Sequence, residues 1–204
     1  MAPKTFILMG RAGCGKGTQS KLLRDAIQAK DKEKRKIFYL ETGERFRQFI
    51  KGDSFSSKLA GEVNKSAMPQ PAFLAVWNWA HILVEEFTGE EHMFIDGTPR
   101  SFQEALVFDS AMTFYERGKP VVIYIDVSKN WSKERLAARA VSEGRVDDQQ
   151  AEQIDKRISW FDTDVVPAID YFRVNERYQY IHINGEQSIE KVQADIIAEL
   201  GENQ

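Results

Sequence analysis

One cysteine, Cys14, is all the chain carries in 204 residues. That excludes an intramolecular disulfide and any zinc site built from cysteines. No apolar run approaches the roughly 20 residues that a membrane-spanning helix needs. The opening stretch MAPKTFILMG lacks the layout of a secretion signal, because its apolar run is short and ends in glycine. Repeats, low-complexity tracts and a linker that would split the chain are also missing. Nor is there much net charge: 28 basic and 31 acidic residues leave −3. The molecule as a whole therefore has no pull toward nucleic acid or an anionic membrane. What remains, with 42% hydrophobic and 29% charged residues, is the balance of one globular domain over 1–204 with a sizeable core. It is expected in the cytoplasm, and any anion it binds must be held by a local cluster of basic groups.

Five short apolar runs read as buried strands, at 5–9, 37–40, 92–95, 121–125 and 180–183. Helical patterns separate them, at 16–29, 71–87, 102–117, 132–141, 149–171 and 189–200. The alternation predicts an α/β fold with a doubly wound, five-stranded parallel sheet. Asp53 and Ser128 are candidate helix starts, and Gly118 with Pro120 ends a helix before the fourth strand. The charged run KDKEKRK at 30–36 reads as a solvated turn. Sheets of this class bind ligands beyond the C-terminal ends of their strands, so motifs that act together should follow strands.

The first such motif is Gly10-x-x-x-x-Gly15-Lys16, between the first strand and the first helix. In that context it is a phosphate loop. Glycines let successive N–H groups converge on one point, and the helix start adds further donors. Gly13, Cys14, Gly15, Lys16 and Gly17 would cradle a nucleotide's phosphates. Cys14 sits where a helix dipole could lower a thiol's pKa, although a small residue that fits beside phosphates is the plainer reading. Most such loops place the Ser or Thr that ligates magnesium where this chain has Gly17; Thr18 stands one residue later.

The stretch GKGTQ at 15–19 resembles the loop of nucleoside monophosphate kinases, above all the adenylate kinase family, and the resemblance continues to the last helix. Glu41-Thr42-Gly43-Glu44-Arg45-Phe46-Arg47 resembles the family's S-T-G-D-x-L-R segment. It implies that Thr42 and Gly43 approach the acceptor nucleotide, Phe46 lines its pocket and Arg47 pairs with its phosphate. A guanidinium fork suits phosphate oxygens physically as well. Asp96-Gly97-Thr98-Pro99-Arg100 is similar to D-G-[FY]-P-R. It implies that Asp96 anchors magnesium through water and that Gly97 and Arg100 meet the acceptor. Ala67-Met68-Pro69 resembles the stretch lining the acceptor base.

Arg135 and Arg139, four apart, share one helical face. With Gly144-Arg145-Val146-Asp147-Asp148 and Arg157, they resemble the family's R-x-x-x-R, G-R-x-D-D and later R. The resemblance implies phosphate-binding arginines around a short, metal-free lid at 136–147, with 41–71 as the acceptor-binding segment inside a P-loop-type three-layer fold. His182, Asn184 and Gly185 match a loop near the donor adenine.

The motifs offer six arginines in three groups, one loop lysine and one metal-anchoring aspartate, but no histidine base. That suits in-line phosphoryl transfer, in which positioning and charge neutralisation do nearly all the work. The expected reaction is Mg·ATP + AMP to two ADP, with Lys16, Arg100, Arg135, Arg145 and Arg157 carrying it and Mg²⁺, but no zinc, as cofactor. A monomer is expected, without nucleic-acid or membrane partners. Two positions keep the acceptor open. Thr98 replaces the family's aromatic residue, and Glu104 stands where the family's glutamine reads adenine, with Gln103 one place earlier. A carboxylate there would suit guanine's paired donors, so GMP and pyrimidine monophosphates remain alternatives. So do a nucleotide sensor without turnover and a P-loop kinase for a small metabolite.

Overall fold

Side chains alternate between the two faces of a strand, and the apolar runs above are hydrophobic on both. Each strand must therefore be covered twice. The computed structural model, which describes residues 2–143 and 151–202, has that arrangement except at the last strand, where His182 and Asn184 stay exposed on one face. Strands β1 (Thr5–Met9), β2 (Ile37–Glu41), β3 (His92–Asp96), β4 (Val121–Asp126) and β5 (Gln179–Asn184) form one parallel sheet in the order β2-β3-β1-β4-β5. The helices are α1 (Lys16–Lys30), α2 (Thr42–Phe49), α3 (Phe55–Lys65), α4 (Ala72–Glu86), α5 (Phe102–Phe114), α6 (Lys129–Glu143), α7 (Ala151–Trp160), α8 (Val166–Val174) and α9 (Ile189–Glu202).

The alternation within β1 separates two cores. Ile7 and Met9 pack with Trp79 and Leu83 of α4, Phe108 of α5 and Phe172 of α8. Phe6 and Leu8 pack with Leu23 and Ile27 of α1 and with Val192 and Ile196 of α9. The result is three layers. From β1 the chain moves to β2 on one side, and after β3 it crosses to β4 on the other. The order reverses beside β1, so the C-terminal ends of β1 and β3 border the crevice where such sheets bind ligands.

Several expectations are corrected. The last four strands each run one residue past their apolar stretch, ending on Glu41, Asp96, Asp126 and Asn184. Backbone pairing continues where the side chains turn polar, and two of these ends, Glu41 and Asp96, line the crevice. The start expected at Asp53 falls on Ser54, whose hydroxyl accepts the Ser57 N–H at 3.0 Å. Of the helix expected over 149–171, residues 149–150 lie outside the described residues. The rest is broken by a π-helical turn, Phe161–Val165, between α7 and α8. Pro167, in the first turn of α8, supplies the reason, because it has no N–H to continue the ladder.

The run at 30–36 is not wholly solvated. Asp31 is 4% exposed; it accepts N–H groups from Glu33 and Arg35 and an Arg35 guanidinium bond at 3.1 Å, and it lies 3.3 Å from buried His92. Among the described residues, no helix is long and apolar enough to cross a membrane.

Candidate active site

The loop after β1 is shaped by positive φ at Gly10, Gly13 and Gly15, a region that only glycine enters without strain. At Gly10 the need is also steric, because a Cβ there would lie 2.4 Å from the Ile125 carbonyl oxygen. Lys16 opens α1 and folds back over the loop, where its Nζ donates to the Gly10 and Arg11 carbonyls at 2.8 and 2.9 Å. Cys14 is buried beneath it. The arginine-bearing helix is fastened to the same loop. Ser132 Oγ donates to the Ala12 carbonyl at 2.6 Å, and Leu136, Ile154 and Ile158 of α6 and α7 pack together against Ala12. Arg135 stacks 4.9 Å above the Trp131 ring.

Asp96 ends β3 and is 7% exposed. Tyr39 donates its hydroxyl to Asp96 Oδ2 at 3.3 Å. Burial lifts the Tyr39 phenol pKa far above its usual value, and the charges of Asp96 and Glu41 add to the lift. This carboxylate fits a hydrated cation. Gly17 lies beside the carboxylate, where a Cβ would be in ordinary contact 3.7 Å from Oδ2, and the exposed Thr18 on the first turn of α1 lines the same cleft. Among the described residues no group of three or more His, Cys, Asp or Glu could hold a metal, so a cation here would rest mainly on Asp96 and on its own water and phosphate ligands.

The turn after β3 is tight. Gly97 has φ 86°, and a Cβ there would meet Thr42 Oγ1 at 2.9 Å and Arg100 Nη2 at 3.0 Å. Arg100 Nε donates to the Gly97 carbonyl. Its guanidinium opens on the cleft but is crowded by protein. Desolvation weakens its hold on the proton, Glu104 and Asp96 oppose that, and Arg157 and Arg47 add to it. An arginine stays charged regardless. Arg47 and Arg100 converge: a Cβ built on Gly43 would lie 3.3 Å from Arg47 Nη1 and 3.9 Å from Arg100 Nη2.

One open cleft of about 750 Å³ joins these parts. Its lining includes Gly13, Cys14, Gly15, Lys16, Gly17, Thr18, Gly43, Arg47, Asp96, Gly97, Arg100, Arg135, Arg139 and Arg157. Lysines and arginines on the lining number seven, against the two carboxylates Glu41 and Asp96. A chain of net charge −3 has thus gathered a strongly cationic cleft, which is the signature of a polyanion site.

Other expected site residues lie elsewhere. Thr42 is buried; its hydroxyl donates to the Asp96 carbonyl at 3.4 Å, and its own carbonyl accepts from Asn78. Phe46 packs on Phe49, and Met68 is 58% exposed outside the cleft. Of the lid expected at 136–147, residues 136–143 belong to α6, and 144–147, with Arg145, lie outside the described residues.

Gln103 is exposed, whereas Glu104 is turned inward and 3% exposed. Glu104 Oε1 accepts from Trp79 Nε1 at 3.0 Å and from the Thr98 hydroxyl, and Oε2 accepts the Arg100 N–H at 2.6 Å. Reading a base does not fit this placement, because both oxygens are already engaged. The two departures at 98 and 104 are one feature: a hydroxyl in place of an aromatic ring partners a carboxylate in place of an amide.

Residues that sequence reasoning passed over also shape the site. Arg11 reaches from the glycine loop to Asp162 on the π turn at 2.5 Å, stacking 4.3 Å over the Phe161 ring, and Lys129 meets the same carboxylate at 2.7 Å. An arginine inside a glycine loop was the available signal. Glu41, another, stands where the related segment has serine.

A family model described as adenylate kinase matches residues 8–177. The adenylate kinase of Flavobacterium psychrophilum is 28% identical over 199 residues, covering 96% of this chain and 98% of the relative. Adenylate kinase isoenzyme 1 of Caenorhabditis elegans is 29% identical over 197 residues, covering 96% and 86%. The adenylate kinase of Bacteroides thetaiotaomicron is 29% identical over 193 residues, covering 94% and 95%.

Proposed function

Because the chain belongs to the adenylate kinase family, and is thus a nucleoside monophosphate kinase, we propose that it moves the terminal phosphoryl group of Mg-ATP to AMP, giving two ADP. The observation that carries this reading is the cationic cleft, in which loop amides, Lys16 and arginines from four separate helices or turns surround one space.

The donor's phosphates would lie in the glycine loop against the N-terminus of α1, with Lys16 leaving its carbonyl partners to follow the transferred group. Arg135 and Arg139 would hold the donor from α6. The acceptor phosphate would sit between Arg47 and Arg100, beside Gly43 and Gly97. Arg157, whose charge is felt at Arg100, would span the gap between the two nucleotides, joined by Arg145 from the lid. Magnesium, held through water by Asp96 with Thr18 as a second candidate, would neutralise phosphate oxygens. The acceptor's oxygen is already nucleophilic, so no base is required, and closure that expels water would suppress hydrolysis of ATP.

The inward Glu104 supports AMP over GMP, since the carboxylate that would have suited guanine is used within the protein. It also removes the expected adenine reader. If another monophosphate is preferred, its base is read by other groups. The test is an acceptor screen with ATP against AMP, dAMP, GMP, CMP and UMP. AMP should give the highest kcat/KM, and turnover should be lost in Lys16→Met and Arg100→Ala. A faster monophosphate would replace AMP as acceptor. Folded protein that binds ATP but turns over none of them would refute the reading.

A further inference from the structure

Of the two carboxylates lining the cleft, Asp96 has a part in phosphoryl transfer and Glu41 has none. Glu41 ends β2 directly beside Asp96 in the parallel register. Its Oε1 lies 3.6 Å from Arg47 Nη2. A Cβ built on Gly43 would lie 3.4 Å from the same Oε1, 3.3 Å from Arg47 Nη1 and 3.9 Å from Arg100 Nη2. A carboxylate oxygen and two guanidinium groups thus surround one small volume. Glu44 grips the outer edge of Arg47 at 2.7 and 3.0 Å, but from the exposed side of α2, as an ordinary i,i+3 pair. Glu41 sits on the inner side.

We propose that Glu41 is a tethered anion occupying the acceptor-phosphate position, and that it sets how tightly the nucleoside monophosphate binds. The proposal rests on Arg47 and Arg100 being the acceptor-phosphate groups. With the cleft empty of acceptor, Glu41 partly neutralises Arg47, which would otherwise add to the repulsion felt by Arg100. An incoming phosphate must compete with Glu41 for the cleft side of Arg47, whose hydrogen bonds run to Glu44. The displaced carboxylate then stays within a few ångströms of a dianion, held there by its strand. That repulsion raises KM for the acceptor. It leaves kcat nearly unchanged, because the ground state and the transition state both hold the acceptor phosphate in the same place. Only the charged part of the acceptor feels it, so the nucleoside without phosphate should bind indifferently to the substitution.

The test is calorimetric titration of AMP and of adenosine into the wild type, Glu41→Gln, Glu41→Ser and Arg47→Ala, alongside steady-state kinetics with ATP. Glu41 is partly exposed, so neither substitution opens a cavity in the core. AMP should bind about five- to tenfold tighter to Glu41→Gln, as for one charge removed near a half-solvated dianion, where tenfold is about 1.4 kcal/mol. KM for AMP should fall by the same factor, kcat should stay within about twofold, and adenosine binding should not change. Raising the salt should narrow the difference. AMP affinity that is unchanged or weaker in Glu41→Gln, while Arg47→Ala still loses AMP, overturns the proposal and leaves the acceptor site standing. AMP affinity that survives Arg47→Ala overturns the acceptor-site assignment, and the proposal with it.

Discussion

Replacing Glu104 with glutamine separates a residue that holds the protein together from one that reads a base. In the structure Glu104 is 3% exposed and receives three donors: Trp79 Nε1, the Thr98 hydroxyl and the Arg100 N–H. Glutamine has one acceptor oxygen. With that oxygen toward Trp79 and Thr98, its amide meets the Arg100 N–H, donor against donor. With the amide reversed, the clash moves to the Trp79 N–H, while the Thr98 hydroxyl can turn to accept. Either way one buried donor loses its partner, at about 1–3 kcal/mol. For a chain of this size each kcal/mol shifts Tm by about 2–4 °C. A midpoint of about 2 kcal/mol therefore predicts a loss of about 4–8 °C in thermal melts. Turnover should fall as well, because the Arg100 backbone is one of the three anchors, but the ratio of kcat/KM for AMP over GMP should be unaltered. A Glu104→Gln protein that melts with the wild type and shifts that ratio about tenfold would refute the reasoning, since such a carboxylate would have to face the ligand.

Two further expectations follow from groups away from the bases. Burial holds the His92 pKa below its ordinary 6.5 against the opposing pull of Asp31. The unfolded chain therefore takes up a proton before the folded one as pH falls through that value, and stability should decline from about pH 7 to about pH 5. The hydrogen bond from the Arg35 backbone N–H holds the Asp31 carboxyl below its usual range, so its own loss comes only at lower pH; His92→Gln should flatten the upper part of a Tm–pH profile, and parallel profiles would exclude it. Asp162 is desolvated, yet Lys129 and Arg11 keep its pKa low; after discounting for its exposure, Asp162→Asn should cost about 1 kcal/mol in urea unfolding, and a double-mutant cycle with Arg11→Ala should show the two effects to be coupled rather than additive.

Much of this protein was legible where neighbouring residues decide the outcome. The apolar runs at 5–9 and 92–95 become strands because their own side chains need cover on two faces. The glycine loop follows from φ values that only glycine accepts cheaply, and Asp96 and Arg100 take their places from the strand that one ends and the other follows. Other matters depended on partners distant in the chain. Glu104 turns inward because Trp79, 25 residues earlier, offers it an N–H. Arg11 leaves the cleft for Asp162, 151 residues later, on a π turn that periodicity alone reads as continuous helix. Glu41 comes to lie beside Asp96, 55 residues later, because β2 pairs with β3. A sequence states which groups can hydrogen-bond or carry charge. Where a charged group has several reachable partners, burial and packing across the sheet choose among them, and that choice belongs to the tertiary structure.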